Sequence, residues 1–403
     1  MPSFVIIGAS LAGAKAAETL RDEGFDGEIV LLGSEHERPY ERPPLSKGYL
    51  LGNDERDSVY VHPADWYAKH DVDLRPGVTV TAIDRAAATV TASRPAGTES
   101  LSYDKLLLAT GASPRHLDFP GADSGEVLYL RTLADSDRLR SAFQPGTRVV
   151  VAGAGWIGLE TTAAARTAGC RVTVLEPQHT VLHDQVGPEI GGVFADLHRA
   201  HGVEFRFGET AAEFRPGLVI TSAGAELQAD VLVVGIGAAP NDALAAHAGL
   251  EVSGGVLTDA ALRTSDVNIF AAGDVANSFN PLLGRQIRVE HWANALNGGP
   301  AAAKSMLGQP VVYDPVPYFY SDQYELGMEC AGLPSPGSYD QVLYRGDRSA
   351  LEFIAFWLSR GAVVAGMNIN VWDVNDDIQS LIRSARPVDP SRLTNPEIPL
   401  TDL

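Results

Sequence analysis

The chain has 403 residues, 45% of them hydrophobic, and a formal net charge of −20. That length predicts two or three domains and makes core burial easy. So acidic a balance argues against nucleic acid as a partner, and no apolar run is long enough to span a bilayer.

The first predicted elements are a strand, FVII, a glycine turn and a helix over residues 4–20, with Gly8, Ser10 and Gly13 at the spacing of a dinucleotide-binding turn. In such a turn the first glycine permits the tight bend and the middle one lets backbone approach a pyrophosphate. The third lets helix pack on strand, and free N–H groups at the helix start face the negative charge. Ser10 stands at the middle position, so this copy is imperfect. A second strand, IVLL, ends near Ser34 and Glu35. A less regular stretch follows, with GVTVTAID inside it, and then the strand YDKLLLATG.

From Gly146 the pattern restarts. RVVVAGAGWIGLETTAAA carries Gly153, Gly155 and Gly158 at full spacing, and RVTVL ends at Glu176, 18 residues beyond Gly158. An acid there accepts a hydrogen bond from a ribose hydroxyl. EFRFG, ADVLVVGIGAAPN and SDVNIFAAGDV read as further strands, followed by an Ala-rich helix after Glu290. Beyond Pro315 aromatic residues become dense, and VLYRGDRSALEFIAFWL and AVVAGMNINVWDV read as hairpin strands. The Pro-rich tail from Ser384 is expected to run over the surface. Either glycine turn alone could be an ordinary strand-to-helix bend. Two in context imply two bound dinucleotides, and the usual reason is to pass a hydride between them.

The fold class is therefore α/β: two Rossmann-like dinucleotide-binding domains with parallel sheets, the first interrupted by the second and then resumed, plus a C-terminal α+β domain. Cys170 and Cys330 provide neither a disulfide framework nor metal-ligand spacing, so no metal is expected. The chain opens almost directly on a core strand, so no targeting peptide is expected, and the cytoplasm is the natural compartment.

These motifs, with PYERPPLSKGYL at 39–50, YLRTL at 129–133, VEHWANAL at 289–296 and PYFYSDQY at 317–324, resemble the FAD-dependent, NADH-using ferredoxin reductases of oxygenase systems, which have a glutathione-reductase-like fold. The resemblance covers essentially the whole chain. It implies an FAD-binding domain over 1–113 and 242–315, an NAD-binding domain over 114–241 and the C-terminal domain over 316–403. Asp274 should bond the ribityl chain of FAD, and Lys47 should lie beside the flavin's reactive edge, where a cation favours arriving electrons. Glu160 resembles the family's partner for that lysine near the nicotinamide. The alternatives are a solvated lysine and a helix-surface carboxylate.

Further FAD contacts implied by matching positions are Gly8, Ser10, Ala12, Gly13, Glu35, Arg42, Val80, Thr110, Gly111, Arg131 and Trp292. Val80 reads equally well as a strand valine, and Trp292 as a core aromatic. The NAD side comprises Gly153, Gly155, Ile157, Gly158, Glu160, Glu176 and Gly237. Glu176 would accept the ribose hydroxyls of NADH and repel a 2′-phosphate, and the following PQHT segment has no arginine to receive one.

Ser34, Thr180, Asp184 and Tyr320 depart from the family pattern, where Asp, arginines and Trp are frequent at the corresponding places. RPPLS has no sulfur, which excludes the thiol exchange used by many relatives of this fold. The chain likewise lacks the cysteine array of an iron–sulfur cluster.

The reading is a reductase that takes a hydride from NADH onto FAD and passes electrons singly to an iron–sulfur ferredoxin serving a cytochrome P450 or a Rieske oxygenase. The resemblance implies a monomer or weak dimer. Rival readings are a rubredoxin reductase or NADH oxidase of the same fold, or a flavin redox-sensing binding protein. Because ferredoxins are commonly acidic, a local basic patch is expected, with Arg345, Arg348 and Arg360 as candidates and ordinary solvated arginines as the alternative.

Overall fold

The computed structural model describes residues 1–95 and 97–403. The chain divides into two compact units. The first holds residues 1–42, 56–113 and 238–317. Its centre is a five-stranded parallel sheet in the order 269–271, 105–108, 3–7, 28–33, 72–76. The strand Ser3–Ile7 is central, with Ile6 opposite Leu31 on one side and Leu107 on the other. Both faces of this sheet are buried around its inner strands, which are therefore continuous apolar runs, whereas the edge strand Val72–Pro76 carries an exposed Asp73.

The second unit holds 43–55, 114–237 and 318–403. It contains a second parallel sheet in the order 204–207, 171–176, 148–152, 231–234, 127–129. It also contains a five-stranded antiparallel sheet, in the order 318–323, 326–332, 362–369, 352–359, 341–347. Trp357, Phe353 and Phe356 are fully buried in it. The short segment 43–55, which holds PPLSK, packs within this second unit although its chain neighbours belong to the first. Each unit carries a further antiparallel three-stranded sheet, over 79–102 in the first and 211–228 in the second.

The Pro-rich C-terminal tail runs over the surface, with most of its residues exposed, but it is anchored there. Leu393 and Leu400 are buried. Arg345 donates to the carbonyls of Leu393, Pro396 and Ile398 at 3.4, 3.3 and 2.6 Å.

Candidate functional site

In the first unit the strand Ser3–Ile7 turns at Gly8 into the helix Leu11–Asp22. Gly8 has φ +120, and a Cβ there would lie 2.0 Å from the carbonyl oxygen of Ala109. A Cβ on Gly13 would lie 2.0 Å from the carbonyl oxygen of Gly8, so the helix can approach the strand only without one. Ser10 is the extended N-cap residue, and its side chain makes no capping bond. Ala12 is buried.

Glu35, just past the second strand, accepts from Arg42 Nη2 at 2.8 Å and from the hydroxyl of Tyr40. Arg42 is also within electrostatic reach of Asp274. Asp274 sits in a single turn after the strand Ile269–Ala271. Trp292 opens the helix Trp292–Met306 and donates from Nε1 to Glu41 Oε2 at 3.2 Å. Thr110 and Asn241 are cross-bonded: Thr110 Oγ1 donates to the Asn241 carbonyl and Asn241 Nδ2 to the Thr110 carbonyl, each at 2.8 Å. Gly111 follows at φ +69. Val80 is half-buried in the strand Thr79–Asp84.

In the second unit the turn after Arg148–Ala152 repeats this construction. A Cβ on Gly153 would lie 2.5 Å from the Gly235 oxygen, and one on Gly158 would lie 2.1 Å from the Gly153 oxygen. Gly155 differs. A Cβ there meets nothing nearer than Gln185 Nε2 at 4.0 Å, and its φ of −77 suits any residue. The protein's own packing therefore does not require glycine at Gly155, while the space over the N-terminus of helix Trp156–Thr167 stays clear. That cradle fits a dinucleotide pyrophosphate.

Ile157 is exposed on the first turn of this helix, and Gly237 is exposed at φ +94. Glu176 is buried and accepts from the backbone N–H groups of Ala154 and Gln178 at 2.8 and 2.9 Å. Arg131 is half-buried just before helix Leu133–Ala142. There Thr132 and Asp135 form a capping box, and the Arg131 N–H reaches Asp135 at 3.2 Å.

The charge pair lies within this second unit. Lys47 Nζ is 2.8 Å from Glu160 Oε1, with side-chain exposures of 15% and 4%. Glu160 is thus not a surface carboxylate, although it lies on a helix. Removing a carboxylate from water costs several kcal/mol unless its oxygens are satisfied. Here they are: Ser321 donates to Oε1 at 2.7 Å, and Ser46 donates to Oε2. Lys47 is also 5.3 Å from the ring centroid of Tyr320.

Sequence reasoning missed both serines and Glu41. Ser46 and Ser321 lay inside recognised motifs, but no local signal named their partner. Both cysteines are buried and unbridged, and burial pushes both thiols up, away from the thiolate. Of the three candidate docking arginines, Arg345 holds the tail, whereas Arg348 and Arg360 are exposed. Among the described residues no helix is long and apolar enough to cross a membrane.

Two glycine turns built for dinucleotides, with a buried lysine–carboxylate pair and no available thiol, define a two-dinucleotide oxidoreductase. The chain belongs to the pyridine nucleotide-disulphide oxidoreductase family, matched over residues 2–299, and carries the reductase C-terminal domain over 318–403. It is an FAD-dependent oxidoreductase that uses NADH.

It is 41% identical to the ferredoxin–NAD(+) reductase component of the anthranilate 1,2-dioxygenase system of Burkholderia cepacia, over 98% of each chain. It is 35% identical to putidaredoxin reductase of Pseudomonas putida, over 100% of this chain and 96% of that one. Among solved structures, the covalent putidaredoxin reductase–putidaredoxin complex matches with a TM-score of 0.94 at 35% identity, covering 100% of this chain and 97% of that one.

Proposed function

We propose that the chain is an NADH:ferredoxin reductase whose acceptor is an iron–sulfur ferredoxin serving a P450 or Rieske oxygenase. The observation that carries this reading is the Lys47–Glu160 pair, held in a chain with two dinucleotide turns and no accessible thiol. When bound, FAD accepts a hydride from NADH and releases its electrons singly.

The protein's work is binding and orientation. Gly8, Ser10, Ala12 and Gly13 hold the FAD pyrophosphate end. Glu35, with Arg42 against it, takes the adenosine ribose, and Asp274 takes the ribityl chain. Val80, Thr110, Gly111, Arg131 and Trp292 complete the FAD contacts. Gly153, Gly155, Ile157, Gly158, Glu176 and Gly237 hold NADH. Lys47 supplies the fixed positive charge beside the flavin edge, and Glu160 holds Lys47 in place. No side chain has to act as a nucleophile.

This reading assigns 1–113 and 242–315 to FAD, 114–241 to NADH and 316–403 to covering the flavin and meeting the acceptor. Its setting is the cytoplasm, where two unpaired cysteines stay reduced, as a monomer or weak dimer.

Anaerobic stopped-flow mixing tests the function. Purified protein mixed with NADH should bleach its flavin band, and a second mix with oxidised [2Fe–2S] ferredoxin should restore the band as the ferredoxin is reduced. Fast bleaching with rapid reoxidation by air, but no transfer to any ferredoxin, would replace this reading with an oxidase.

A further inference from the structure

Behind the Lys47–Glu160 pair lies a line of buried polar groups that no dinucleotide contact explains. The strand Tyr318–Gln323 alternates, so Ser321 and Gln323 point inward, each 1% exposed, while Asp322 faces solvent. Ser321 Oγ is 2.7 Å from Glu160 Oε1. Gln323 Nε2 is 3.1 Å from Ser321 Oγ, and Gln323 Oε1 is 2.8 Å from Nε2 of His198, a fully buried residue of the helix His183–Ala200. The hydroxyl of Tyr324 is 3.4 Å from the other ring nitrogen of His198.

One arrangement of protons satisfies every link. An ionised carboxylate only accepts, so Ser321 must donate to Glu160. Its oxygen then accepts from the Gln323 amide, which fixes the amide orientation and turns its carbonyl toward His198. His198 therefore carries its proton on Nε2 and accepts on Nδ1. Every donor in the line is aimed toward Glu160, and the line joins the antiparallel sheet to the dinucleotide-binding helix within one unit.

We infer that Ser321, held by Gln323 and His198, is a positioning residue that aims the Glu160 carboxylate at Lys47. The C-terminal domain thereby takes part in setting the active-site charge pair as well as covering it. Without Ser321, Oε1 keeps only Lys47 and the carboxylate is anchored by Ser46 at Oε2 alone, so it can swing about that bond and carry the lysine with it. Misplacement of about 1 Å near reacting atoms costs on the order of a hundredfold in rate.

The inference rests on the reading that Lys47 and Glu160 serve the flavin–nicotinamide step, so the test treats the two separately. FAD-loaded Ser321→Ala, Gln323→Leu, Ser321→Thr and Glu160→Gln proteins are compared by anaerobic NADH reduction and by spectroelectrochemical measurement of the flavin midpoint potential. Ser321→Ala and Gln323→Leu should slow the limiting flavin reduction by about ten- to a hundredfold. NADH affinity should change little, and the potential should move to more negative values as the cation loosens. Ser321→Thr, which keeps the hydroxyl, should recover both readouts.

A purely structural role would lower thermal stability and leave rate and potential as in the parent. Folded Ser321→Ala with parental rate and potential, beside an impaired Glu160→Gln, would overturn the relay. If Glu160→Gln is itself unimpaired, the underlying assignment of the charge pair falls instead. Should Ser321→Ala fail to fold, Gln323→Leu carries the test, because it leaves the serine in place and removes only its support.

Discussion

Glu176 is committed to two backbone N–H groups, those of Ala154 and Gln178, through separate carboxylate oxygens. Replacing it therefore does more than relax cofactor choice. Glu176→Ala leaves both donors without an acceptor, a loss of about 1–3 kcal/mol for each one that stays buried. It should weaken NADH binding without raising NADPH to the affinity the parent has for NADH, since residues 177–180 contain no arginine to receive the 2′-phosphate. Titration of the variant with both nucleotides checks this, and NADPH binding as tight as the parent binds NADH would refute it. Spacing located Glu176, because the glycine turn sets its position along the chain, while Glu160 was reached only through the family resemblance. Spacing could not locate Ser46 or Ser321, whose hydroxyls acquire a partner only when segments distant in sequence meet. His198 was unreadable for the same reason. Burial pulls it down from 6.5 to about 4, with the Gln323 bond opposing and His201 adding to the fall. The unfolded chain thus binds a proton that the folded chain refuses between pH 6.5 and about 4. Stability from this group is complete above the window and is lost as pH falls through it, to a total of about 3 kcal/mol. Calorimetric Tm values from pH 7 to 4 should fall less steeply in His198→Asn than in the parent.

Helices Leu11–Asp22 and Trp292–Met306 meet across small residues. A Cβ on Gly299 would lie 2.3 Å from the carbonyl oxygen of Ala12 and 3.2 Å from the nitrogen of Ala16, both backbone atoms that no rotamer change can move. Gly299→Ala should therefore push the helices apart, at about 1–3 kcal/mol. Because Ala12 lies in the turn assigned to FAD, the variant should also release flavin at lower denaturant than the parent. Denaturation followed by far-UV dichroism and by flavin fluorescence reads both effects; unchanged midpoints would show that the helices slide without cost. At this scale two of the parallel strands, Val72–Pro76 and Val127–Tyr129, gave no clear signal. Ser3–Ile7, Glu28–Gly33, Arg148–Ala152, Arg171–Glu176 and Val231–Val234 were legible, since each is a mainly apolar run ending at a glycine or an acid. The antiparallel sheet over 79–102 was not. Its strands are short and half-exposed, with a register shift between Val80 and Ala82. Its first hairpin turns with Ala88 at φ +50, where no glycine marks the bend. Asp84 braces that turn by accepting from the N–H groups of Ala86 and Ala87 at 3.0 and 2.9 Å.

At the scale of the whole molecule, the net charge of −20 and an acidic acceptor are in conflict. At about 10 mM salt the screening length is about 30 Å, so the reductase repels such a ferredoxin before contact, whereas at about 150 mM it is about 8 Å and only local groups act. The bimolecular rate of ferredoxin reduction should therefore rise with ionic strength over this range, the reverse of steered association. The arginines sharpen the test. Arg345 is bonded to three tail carbonyls, so Arg345→Glu should lower Tm by freeing residues 393–398 and act on the rate only through that loss. Arg348, packed 4.1 Å over the Tyr344 ring, and Arg360 are exposed and can meet a partner. If they do, Arg348→Glu with Arg360→Glu should depress the low-salt rate most and converge on the parental rate at high salt. A rate that falls with salt in the parent would mean that a basic face outweighs the net charge. A double variant matching the parent at every salt concentration would remove these two arginines from the docking face.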